Sequence, residues 1–77
     1  MKLKYGRNVF IMSDERLSDI VEEIIEAANE IKRTKKIDAQ DYGRLLAYSE
    51  CLSIIRDAYD DDLSKIGLDF DIDKRYL

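Results

Sequence analysis

The stretch from Ala39 to about Ile66 carries apolar residues around more of a helix circumference than one packing partner can cover. At about 100° per residue, Leu45, Tyr48, Leu52, Ile55, Tyr59, Leu63 and Ile66 fall on one seam. Gly43, Ala47, Cys51, Ile54 and Ala58 fall on the flank beside it. A helix apolar on two seams sits between two partners, so the chain is expected to fold as a helical protein that associates with itself.

The size of the chain favours the same conclusion. A single domain of 77 residues lies near the point where one core only just offsets the entropy lost on folding. The usual reinforcements are missing: Cys51 is the one cysteine and there is no histidine, so neither an internal disulfide nor a cysteine–histidine zinc site is available. Association with a second copy is the reinforcement left. The absence of proline and the presence of three glycines favour long uninterrupted helices over a fold with many turns.

Ser13, followed by Asp14 and Glu15, is an N-cap with acidic residues in the first turn, where they complement the positive end of the helix dipole. Leu17, Ile20, Val21, Ile24, Ile25, Ala28 and Ile31 then follow spacings of three and four, a one-sided stripe. The cations Lys32, Arg33, Lys35 and Lys36 suit the exposed carbonyls of a last turn and place the end of helix 1 near Lys36. Asp38 restarts the chain as the N-cap of helix 2, with Asp41 in a box-like position and Ile37 and Tyr42 at staple spacing. So short a connection makes the two helices antiparallel neighbours.

The far end admits a break near Tyr59, because Asp60, Asp61 and Asp62 oppose the dipole at a helix C-terminus and suit the start of a new turn. Gly67 closes that turn, with Leu63 and Leu68 placed for the contact of a Schellman cap. Beyond it Leu68, Phe70 and Ile72 alternate with Asp69, Asp71 and Asp73, the period of an extended segment with one apolar side.

The expected fold is therefore all-α. Residues 1–12 form an extended N-terminal arm, with Tyr5 as an anchor and Lys2 and Lys4 facing the acidic tail. Residues 13–67 form an antiparallel hairpin of helix 1 (about 14–36) and helix 2 (about 39–66, with a short third turn if it breaks near 60). Residues 68–77 form an extended tail anchored by Tyr76. Two copies build a dimeric four-helix bundle through Gly43, Ala47, Cys51, Ile54 and Ala58, unless the arms or another protein cover that flank. Met12-Ser13 also reads as a start preceded by an added leader.

No pattern specifies a reaction. Asp69-Phe70-Asp71-Ile72-Asp73 opens like a calcium loop, but Lys74 stands where that loop needs glycine and no bidentate glutamate follows. Cys51 has no histidine to act as its base, and reads as a small apolar residue at an interface. Glu22, Glu23, Glu26 and Glu30 make one side of helix 1 acidic. A solvated face accounts for them, docking of a basic partner is the functional alternative, and a carboxylate metal site is disfavoured because they point away from the apolar stripe and lack histidine support. No cofactor and no metal are expected.

A formal charge of −4 repels nucleic acid and anionic membranes on average. Lys32, Arg33, Lys35 and Lys36 are the one place where a phosphate backbone could dock, without an interleaved aromatic residue. The longest apolar run near the N-terminus, Val9 to Met12, is too short for a membrane span or a secretion signal, so a cytoplasmic location is expected. The functional expectation is a non-enzymatic adaptor, inhibitor or regulatory subunit working through protein–protein contact. The alternative is a nucleic-acid-associated regulator that gathers the basic ends of a dimer.

Overall fold

The computed structural model describes residues 13–77; the N-terminal arm expected over residues 1–12 lies outside them. The described chain is all-α. Two main helices, α1 (Asp14–Lys32) and α2 (Ala39–Ala58), are followed by a 3₁₀ turn, η1 (Leu63–Ile66), and a short helix, α3 (Ile72–Tyr76). α1 packs on α2 as a hairpin, η1 packs back on α1, and α3 packs on α2.

Local chemistry explains each boundary. The Ser13 hydroxyl accepts from the Arg16 amide at 3.1 Å, and Asp38 Oδ1 accepts from the Asp41 amide at 2.8 Å, so both helix starts are capped as their sequences predict. α1 stops at Lys32, four residues short of the expected end: Thr34 donates its amide to the Ile31 carbonyl and its hydroxyl back to Glu30. Lys35 and Lys36 belong to the connection, because cations after the last turn suit the dipole without extending the helix.

α2 does not continue to Ile66. Tyr59 leaves the helical region with ψ 127°, and Asp60 and Asp61 follow before Asp62 caps η1 through the Ser64 amide at 3.1 Å. Gly67, at φ 77°, reverses the chain; the Leu68 amide bonds the Leu63 carbonyl at 3.0 Å, the outer bond of a Schellman cap.

The expected extended tail is corrected. Asp71 Oδ1 accepts from the Lys74 amide at 3.1 Å and starts α3, so the strand-like alternation ends there. From Leu68 the burial follows a spacing of four: Leu68, Ile72 and Tyr76 are all buried, and Phe70 is half-buried. These residues supply the third wall of a core whose other walls are Val21, Ala28 and Ile31 from α1 and Leu45 and Leu52 from α2.

The half-buried Leu17, Ile24, Ile25, Tyr48, Ile55, Tyr59 and Leu63 border this core, so the predicted seam is real but is shared among three elements. Full burial of each large aliphatic side chain contributes about 1.5–3 kcal/mol. Ser49 is buried among them; its hydroxyl donates to the Leu45 carbonyl at 3.0 Å, which satisfies it inside the helix.

Candidate interaction surfaces

The second flank of α2 has no cover among the described residues. Gly43, Ala47, Cys51, Ile54 and Ala58 are all exposed, and Ile54 is 67% accessible. The tail, one of the segments expected to lie there, packs instead on the side where Leu45, Ser49 and Leu52 are buried. Further round the helix Tyr42, 52% accessible, and Leu46 are exposed as well.

Gly43 lies inside α2. Its φ is not positive, so nothing in its backbone requires glycine. A Cβ built there would meet nothing within 4 Å. A glycine in a helix interior costs roughly 1 kcal/mol relative to alanine, and no contact within the described chain returns that cost.

The two ends of the hairpin differ in charge. At the turn Lys32, Arg33, Lys35 and Lys36 are exposed, with one weak internal pair from Arg33 to Glu30 at 3.9 Å. At the open end Asp57, Asp60, Asp61 and Asp62 are exposed. Two of these are engaged locally by cations, Asp57 by Arg56 at 3.1 Å and Asp61 by Lys65 Nζ at 2.9 Å.

The hydrogen bond from Lys65, aided by the Asp62 amide at 2.7 Å, holds the Asp61 carboxyl below its ordinary pKa. The same bond raises Lys65. The Tyr59 hydroxyl is buried here without a hydrogen-bond partner among the described residues. Removal from water, then the nearby Asp14 carboxylate, raises its pKa above the ordinary value.

On α1, Glu22, Glu23, Glu26 and Glu30 are exposed as expected, and Asp19 joins Glu22, Glu23 and Glu26 around a shallow depression. Among the described residues no cluster of three or more histidine, cysteine, aspartate or glutamate side chains is arranged to hold a metal ion. The Asp69–Asp71–Asp73 run places its middle carboxylate on the α3 cap. Cys51 is a free thiol, exposed on the single chain.

The link between Asn29 and Tyr76 and the burial of Ser49 carry no local signal in the sequence, the first because it joins residues far apart in the chain. No helix of the described residues is long and apolar enough to cross a membrane. No family model matches the sequence, and comparison with curated proteins and with solved structures finds no match.

Proposed function

We propose that this chain is a non-catalytic protein-interaction module that works as a homodimer, joined through the α2 flank, and presents the acidic side of α1 to a basic segment of another protein. The observation that carries the reading is the exposure of Ile54 amid Gly43, Ala47, Cys51 and Ala58. A β-branched apolar residue at the centre of an uncovered helix face gains nothing from water, whereas a second protein surface there removes about 25 cal/mol of unfavourable hydration per Å² of apolar area.

The acidic row on α1 supports the second half of the proposal by its chemistry alone. Glu22 and Glu26 repel one another slightly at a spacing of four, and cations from a partner would relieve that repulsion.

Light scattering after size exclusion tests the dimer. The expected mass is twice that of the 9.0 kDa chain, falling to the monomer value for Ile54→Lys while circular dichroism stays helical. A wild-type chain that remains monomeric at high micromolar concentration would remove the proposal.

A further inference from the structure

We infer that the second copy lies antiparallel on the α2 flank, with the basic turn of each protomer against the acidic open end of the other. The inference rests on the self-association reading above and adds to it a direction and a register.

Three independent observations support it. The hairpin is elongated, 42 Å along its longest axis against 22 and 18 Å across; four exposed cations lie at the turn, which also holds Asp38 and Asp41, and four exposed aspartates lie at the open end, which also holds Arg56 and Lys65. A parallel pair would place Lys32, Arg33, Lys35 and Lys36 beside the same four cations, and the four aspartates beside their own kind. An antiparallel pair turns both contacts into attractions and also sets the two α2 dipoles head to tail.

Gly43 provides the register. A two-fold axis crossing α2 near its midpoint puts Ile54 of one copy opposite Gly43 of the other, and brings Ala47 within one residue of the level of Cys51. The largest apolar side chain of the flank then enters the one position where the partner helix has no side chain. This gives the glycine, which nothing among the described residues explains, a reason to be there. The same register carries Lys35 and Lys36 to the level of Asp60, Asp61 and Asp62, where Asp60 has no ion-pair partner among the described residues.

The experiment is a charge-exchange series on the whole chain, read as dimer dissociation constants at low salt. Lys35→Glu with Lys36→Glu should weaken the dimer about tenfold, and adding Asp57→Lys with Asp60→Lys should restore it, both effects fading at high salt. In a parallel dimer each end meets its own copy, so reversing two of its four cations relieves repulsion and tightens the dimer; a tighter or unchanged dimer would overturn the inference.

Spin labels at position 36, in a Lys36→Cys, Cys51→Ala chain, give a second reading that does not depend on affinity. The antiparallel arrangement places them ~40 Å apart, from about 13 residues on each side of the axis at 1.5 Å per residue. A separation below ~20 Å would again overturn it. Gly43→Ala should loosen the dimer about tenfold by overpacking, although alanine is the better helix former. A tighter or unchanged dimer would refute the register. A protein that is monomeric throughout fails the self-association reading itself, whereas a dimer insensitive to the exchanges fails only the arrangement.

Discussion

The Tyr76 hydroxyl donates a hydrogen bond of 3.0 Å to Oδ1 of Asn29, joining α3 to α1 across 47 positions of sequence. Its ring is buried at the same time and meets Phe70 edge-on, with centroids 6.4 Å apart and planes at 77°. The guanidinium of Arg75 covers the Phe70 ring at 3.9 Å. One residue thus pins the tail by both a polar and an apolar contact.

Tyr76→Phe keeps the ring and removes the hydroxyl, leaving the half-buried Asn29 amide without this partner. The expected loss is about 1 kcal/mol, and Tyr76→Ala should cost about 3–5 kcal/mol. Urea unfolding followed by circular dichroism checks both, and equal small losses would mean that the tail is only lightly attached.

Leu52 and Ile54 stand two residues apart on α2, the one fully buried and the other largely exposed. Leu52→Ala should destabilise each protomer by about 2–5 kcal/mol. Ile54→Ala should leave the unfolding free energy of dilute, monomeric protein within about 0.5 kcal/mol of the parent. The contrast is measured below the concentration at which copies associate, so that it reports the chain alone.

At Gly67 the backbone is in the left-handed region, although there is open space around the position. Gly67→Ala should therefore cost about 1–2 kcal/mol through conformation and not through a clash. Gly67→Asn, which tolerates that region better, should recover part of the loss in the same unfolding measurement.

Stability should fall at both ends of the pH scale. Asp61 has a folded-state pKa below its unfolded value, so its contribution is present above about pH 4 and is lost as the pH falls through the folded value. Lys65 and Tyr59 are raised, so theirs are present below about pH 10 and are lost as the pH climbs through their folded values. The exposure of the Asp61–Lys65 pair keeps its effect small. Lys65→Met should flatten the acid limb, and Tyr59→Phe should flatten the alkaline limb while preserving the fold. Urea midpoints taken across the pH range would show whether either limb is unchanged.

Much of the hairpin is legible in the sequence because its determinants are local. Ser13 and Asp38 are capping residues directly before periodic runs, and Gly67 is a glycine one position after a short turn. The repulsion between the dipole and three successive aspartates marks the break after Tyr59. The tail is not legible for a physical reason: from Leu68 to Asp73 the alternation fits a strand, and only the docking of Ile72 and Tyr76 against the core makes a spacing of four the better solution.

The candidate surface divides in the same way. The exposed flank of α2 follows from counting apolar positions around the helix. Which segment leaves it uncovered does not, since the destination of the tail depends on the Asn29 contact. For the acidic row and the basic turn, the sequence identifies the charges, and the hairpin geometry adds that the row runs along α1 toward the turn while Asp57, Asp60, Asp61 and Asp62 lie at the opposite end.

The placement of the tail has a kinetic consequence. Helix formation in α1 and α2 needs only neighbouring residues and is fast, but neither helix finds its full apolar cover until the tail arrives, which for the Asn29–Tyr76 link closes a loop of 47 positions. The slow event in folding is then the closing of that loop. Until it happens Val21, Ala28, Leu45 and Leu52 lack one wall of their cover.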